Sequence, residues 1–187
     1  MSYDVRMIVE KPFGLFITWT CYGTWLPGDE RGYVSETLLP HAGWEAKRNA
    51  PGTPYRTDDA YTRDRARQRQ KRTTVLLTES QARCMAESLI EASQVRGWRI
   101  FRGAVMANHT HVALLECPDD GPVVRRILKG NSQAALSREH GQGRRWWTAG
   151  GSNRYLHGEE AINAAVQYVA EQRGMLVGID DMRVLVP

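Results

Sequence analysis

The chain has 187 residues, 42% hydrophobic and 25% charged, with a formal net charge of +4. That length suits one domain with an embellishment and a real core, and the composition is that of an ordinary soluble globular protein. No stretch approaches the ~18 consecutive apolar residues of a membrane span, and the basic balance permits a polyanionic partner without requiring one.

The N-terminal stretch carries Asp4 and Glu10 and lacks the apolar core of a signal peptide, so the expected compartment is the cytoplasm, with no membrane partner. Cys21, Cys84 and Cys117 are far apart and form no Cys-x-x-Cys pair. Neither a disulfide framework nor a zinc knuckle is suggested, and buried free thiols are expected.

Leu15–Thr20, rich in β-branched and aromatic residues, predicts a first strand. It runs into a turn-rich stretch from Tyr22 to Gly32, whose aromatics Tyr22 and Trp25 suit either base stacking or a cap on the core. Residues 33–75 show no clear periodicity. Pro40, Pro51, Gly52 and Pro54 interrupt them, and Arg63, Arg65, Arg67, Arg69, Lys71 and Arg72 crowd their end. This is read as an irregular basic insertion within a single domain spanning 1–187, a solvated face that could also touch phosphates.

Thr78-Glu79-Ser80-Gln81 is a capping box, and Ala82, Met85, Ala86, Leu89 and Ile90 recur behind it at helical spacing until Gly97. Trp98–Val105 and Thr110–Cys117 predict two strands joined as an antiparallel hairpin. Pro122 opens a second helix, with Val123, Val124, Ile127, Leu128, Ala135 and Leu136 inward and Arg125, Arg126 and Lys129 on its other faces. Gly141–Arg145 reads as a flexible basic loop, Trp146-Trp147 as a short fourth strand, and Glu159–Arg173 as a last helix closed by Gly174. The apolar tail after Met175 suits a strand or extended chain. The order βαββαβ predicts an α+β, ferredoxin-like antiparallel sheet with two helices on one face and the additional C-terminal helix left for the other.

His109 and His111 stand two residues apart at the head of the third strand. Side chains alternate across a strand, so both imidazoles face one way and can address one metal ion. Taken alone, the pair is weak evidence, and two ordinary histidines on a sheet face are the commoner case.

Four segments together resemble a known family. Phe16-Ile17-Thr18-Trp19-Thr20-Cys21-Tyr22-Gly23-Thr24-Trp25-Leu26-Pro27-Gly28-Asp29 looks like the opening strand and loop of the IS200-like transposases. These are the single-tyrosine branch of the HUH endonucleases, and the likeness is strongest to the REP-associated tyrosine transposases. Met106-Ala107-Asn108-His109-Thr110-His111 resembles their Met-Pro-Asn-His-x-His strand, with Ala107 in place of proline and Thr110 in place of a bulky apolar residue. Trp147–Ser152 resembles the segment before their last helix, and Tyr168-Val169-Ala170-Glu171-Gln172 their catalytic helix.

The resemblance implies that His109, His111 and Gln172 hold a divalent metal, Mg²⁺ or Mn²⁺. It implies that Tyr168 attacks a phosphodiester of single-stranded, hairpin-bearing DNA and forms a 5′-phosphotyrosine. A nucleophile and a metal ligand at i and i+4 of a helix are neighbours, which suits this. Arg125, Arg126, Lys129, Arg144 and Arg145 are the basic residues from which DNA contacts would be drawn. A homodimer and a monomer are both compatible with such a protein. Two other functions fit the same residues: a domesticated DNA-binding protein that no longer cleaves, and a metal-dependent hydrolase acting through water.

Overall fold

The computed structural model describes residues 14–31 and 59–185 in full and the backbone alone of 37–39 and 43–45. Residues 1–13, including Asp4 and Glu10, lie outside the described residues, as do Pro40, His41, Pro51, Gly52 and Pro54 of the insertion. The described residues form β1 (Gly14–Thr20), β2 (Thr37–Leu39), β3 (Gly43–Glu45), α1 (Ala60–Gln68), α2 (Glu79–Arg96) and β4 (Arg99–Met106). They continue with β5 (His109–Leu115), α3 (Gly121–His140), β6 (Ser152–Leu156), α4 (Gly158–Ala170), β7 (Met175–Asp180) and β8 (Arg183–Leu185).

Local chemistry accounts for the long helices. The Thr78 side chain accepts from the Gln81 amide while Gln81 reaches back to the Thr78 amide, so both halves of the capping box are made. Gly97 closes α2 in the left-handed region at φ +69°, which glycine adopts without a Cβ clash. Pro122 lies in the first turn of α3, where its missing N–H costs nothing.

The main sheet runs β6-β1-β5-β4-β7-β8 and is antiparallel throughout. Strands β1, β4, β5 and β6 with α2 and α3 form the βαββαβ, ferredoxin-like unit: β5 lies between β1 and β4, and β6 pairs with the other edge of β1. The tail adds β7 and β8 beyond β4. Leu15, Ile17 and Trp19 of β1 and Val112 and Leu114 of β5 point to the α2 and α3 side, where Met85, Leu89, Leu128 and Leu136 complete the main core. Each such side chain contributes roughly 1.5–3 kcal/mol on burial. The alternate residues face the other way. There α4 packs on β4 and β5, with Val169 against Ala104, Met106 and Phe16, and Ile162 and Ala165 against Leu156.

Three boundaries differ from the sequence reading. The fourth strand is Ser152–Leu156, not Trp146-Trp147, which contributes only a bridge from Trp147 to Cys21. As an edge strand with mostly exposed side chains, Ser152–Leu156 carries no apolar alternation, whereas both tryptophans are apolar because they fill the core. The last helix ends at Ala170, so Gln172 lies in the turn beyond it, and Gly174 at φ +73° belongs to the turn into β7. The insertion is not irregular throughout: it contains the β2–β3 ribbon and the basic helix α1, capped by Asp59. Only Thr62 of α1 is buried, so no apolar stripe marked it.

The three thiols are free and buried, as expected. No helix among the described residues is long and apolar enough to cross a membrane.

Candidate active site

The histidine pair sits at the head of a tight hairpin. Only Ala107 and Asn108 separate β4 from β5, and other segments hold that turn. The Asn108 carbonyl accepts from the Cys21 amide at 2.8 Å and from the Thr24 hydroxyl at 3.0 Å. The Ala107 carbonyl accepts from the Leu77 amide at 2.8 Å. Three hydrogen bonds thus hold the turn that lacks a proline at 107.

Strand alternation places both imidazoles on the α4 face, with ring centroids 4.7 Å apart and planes at 81°. His111 is 5% exposed and pairs in register with Thr18 of β1, whose Oγ1 is 2.8 Å from its Nδ1. Its Nε2 is buried and has no hydrogen-bond partner. In His109, Nδ1–H donates to Asn108 Oδ1 at 2.6 Å, which leaves the lone pair on Nε2. Burial pushes the His111 pKa down to about 4, helped by the neighbouring His109. Burial also lowers that of His109, with the Arg31 charge as a second cause. Both shifts favour the neutral ring, the form that ligates metals.

These donors fit a divalent ion. A buried ring nitrogen left unmet costs about 1–3 kcal/mol, and inner nitrogens anchored by hydrogen bonds with outer nitrogens free are the usual construction of a histidine metal site.

Tyr168, on the last turn of α4, brings its ring edge-on to His111 (5.3 Å, 80°) and to Phe16 (5.9 Å, 88°). Phe16 in turn stacks on His111 at 5.5 Å and 12°. Tyr168 stays half exposed, at 50%, so it is packed on one side and open to solvent on the other. Gln172, just past α4, is turned back on the helix: its Nε2 donates to the Tyr168 carbonyl at 3.0 Å. Among the described residues, no hydrogen bond joins Gln172 to either imidazole. The structure brings His109, His111 and Tyr168 together directly and ties Gln172 to Tyr168 by backbone.

One further group is Arg31, which sequence reading passed over in favour of the aromatics around it. Asp29 grips it through both carboxylate oxygens at 2.7 and 2.8 Å, and its Nη2 also donates to the Thr24 carbonyl at 2.9 Å. The guanidinium lies over the Trp25 ring at 4.8 Å. It carries a fixed positive charge near His109. The signal available in the sequence was Asp29-x-Arg31, an acid two residues before a base inside a turn.

The predicted DNA-contacting residues divide. Arg125 donates to the Gly151 carbonyl (2.5 Å) and to Asn153 Oδ1 (2.9 Å), and Lys129 to the carbonyls of Thr148 (2.7 Å) and Gly150 (2.6 Å). These two brace the loop before β6. Burial, then Arg125 and Arg145, pushes the Lys129 ammonium down to about 8. Arg126 is exposed. Arg144 lies over Trp146 at 4.8 Å and Arg145 over Tyr22 at 5.5 Å. Those two, with Lys71 and Arg72, line an open cleft of about 500 Å³ whose wall also includes Tyr22 and Gln133. None of His109, His111 or Tyr168 lines it.

No protein-family model matches the chain, and no curated protein does. Among solved structures, it overlaps a REP-associated tyrosine transposase bound to a REP hairpin, with 14% sequence identity and a TM-score of 0.47. The overlap covers 90% of this chain and 70% of that one.

Proposed function

We propose that this chain is a metal-dependent transposase that nicks and rejoins single-stranded, hairpin-bearing DNA through Tyr168. The observation that carries the reading is the buried, unpartnered Nε2 of His111 with the half-exposed Tyr168 ring packed against the same imidazole. The motif resemblance supports it independently of the geometry.

In this reading Tyr168 Oη attacks phosphorus, its proton passing to solvent. A P–Oη bond forms as the bond from phosphorus to the 3′ oxygen breaks, leaving a 5′-phosphotyrosine, and the released oxygen is protonated to a 3′-OH. A later 3′-OH attacks the same phosphorus and restores the phenol, so the strand is rejoined without outside energy. His109 and His111, with Gln172 as third ligand, would hold Mg²⁺ or Mn²⁺. Such an ion, when bound, neutralises charge on a non-bridging phosphate oxygen. Gln172 would exchange its bond to the Tyr168 carbonyl for that role. Arg31 adds positive charge beside the pair, and Arg126, Arg144 and Arg145 offer cations to the DNA backbone.

The test is a denaturing gel with end-labelled single-stranded hairpins, with and without Mn²⁺ or Mg²⁺. A labelled band at protein mass, absent in Tyr168→Phe and on chelation, is expected. Intact hairpin binding with no such band under any metal would overturn the cleavage reading. It would favour a DNA-binding protein instead, a second reading that draws support from the basic cleft lying apart from the histidine pair.

A further inference from the structure

Away from the histidine pair, Cys84 in the second turn of α2 meets Glu139 and His140 in the last turn of α3. One sulfur, one carboxylate oxygen and one ring nitrogen lie within 4.8 Å of one another. Cys84 is 6% exposed, and His140 has a buried Nε2 with no hydrogen-bond partner. We propose that this cluster is a second metal site, for Zn²⁺, joining α2 to the C-terminal end of α3.

The donor set selects the ion. A thiolate with an imidazole and a carboxylate suits borderline-soft Zn²⁺ and disfavours Mg²⁺, and three protein ligands leave a fourth tetrahedral position for water. The place suits a cation as well. The last carbonyls of a helix carry partial negative charge, and α3 ends at His140. Arg138 lies 3.5 Å from Glu139, an exposed contact of little strength, and the Cys84 thiol donates to the same carboxylate.

Burial first and the Glu139 carboxylate second hold the Cys84 thiol up at about 11, so it stays protonated. A bound dication reverses that preference, and the thiol proton is released to solvent as the sulfur–metal bond forms. The basic loop 141–145 starts one residue beyond His140, and its Gly143 carbonyl accepts from Arg72 across the cleft. An ion at Cys84, Glu139 and His140 would therefore anchor the root of the loop that carries Arg144 and Arg145. The absence of any Cys-x-x-Cys pair conceals such a site in the sequence, because its ligands are contributed by two helices.

Cobalt(II) titration of the full chain tests this, since a cysteine ligand produces a thiolate-to-cobalt charge-transfer band that imidazole and amide ligands do not. The expected result is a saturable band, displaced by Zn²⁺ and lost in Cys84→Ser. It should persist in the double variant His109→Ala, His111→Ala, which removes the other candidate site. Glu139→Gln should weaken the affinity roughly tenfold or more. Should Cys84→Ser fail to fold by circular dichroism, His140→Asn keeps the thiol and should still weaken binding to a similar degree. No charge-transfer band in the wild type under excess cobalt overturns the proposal. So does a band that survives Cys84→Ser, or an affinity unchanged in His140→Asn.

Discussion

Thr18 Oγ1 and His111 Nδ1 lie 2.8 Å apart across the β1–β5 pair, and that bond determines which nitrogen of His111 is left over. When Nδ1–H donates to the hydroxyl, the lone pair of the ring is on the buried, unpartnered Nε2. The opening strand thus orients a residue on β5, which sequence reading assigned to the metal with no mention of a partner.

Thr18→Val keeps shape and strand propensity while removing that oxygen. Mn²⁺ affinity, measured by calorimetric titration, should fall about 10–100-fold, as for other partners that orient a ligating histidine. The unmet Nδ1 should cost about 1–3 kcal/mol in chemical denaturation. An unchanged Mn²⁺ affinity would mean that Thr18 does not orient His111 for metal.

Gly28, in the opening loop, has φ +83°, and a Cβ built on it meets the Asp59 carbonyl and the Arg63 amide at the start of α1. Both obstacles are backbone and cannot rotate away. Gly28→Ala should therefore cost more than about 1 kcal/mol and loosen the seat of α1. Limited proteolysis within the arginine-rich segment 63–72 should accelerate while the rest of the chain stays protected. Equal cleavage rates in the two proteins would show that the loop does not seat α1.

Lys129 supplies a pH test. Its pKa is about 8 in the folded chain, against 10.5 for the ordinary side chain. Between those values the unfolded chain holds the proton and the folded chain does not, so stability rises with pH across that window. The gain is complete above 10.5 and is lost as pH falls through 8. Comparing unfolding midpoints of wild type and Lys129→Met from pH 7 to 10.5 isolates the effect from other groups. The wild type should gain relative to the variant as pH rises, and parallel curves would contradict it.

The capping box at the start of α2 makes a smaller prediction. Thr78→Ala removes the oxygen that accepts from Gln81 and should cost about 1 kcal/mol, read from the urea midpoint at unchanged slope. The hairpin-DNA binding proposed above should be unaffected, because Thr78 does not line the basic cleft.

Several features were legible because their causes are local. The capping box and Gly97 bound α2, Pro122 marks the start of α3, and the two-residue spacing of His109 and His111 sets them on one face. The element order also indicated the ferredoxin-like unit and a free face for the last helix. The fourth strand was misplaced by a few residues for the opposite reason. Trp146 and Trp147 are apolar to fill the core, and Ser152–Leu156 is a strand through its pairing with β1.

What determined the rest was the packing of distant segments. Residue types and short spacings establish periodicity, caps and the face of a strand, since these depend on chain geometry over a few residues. That Tyr168 reaches His111, that burial and then Arg31 lower the His109 pKa, and that Lys129 donates to loop carbonyls all depend on which elements lie side by side. The same is true of Cys84, Glu139 and His140, brought together where α2 crosses the end of α3. The sequence by itself determined the elements and the direction of the histidine pair. Only tertiary structure, through burial of the two sheet faces under different helices, decided which groups meet there.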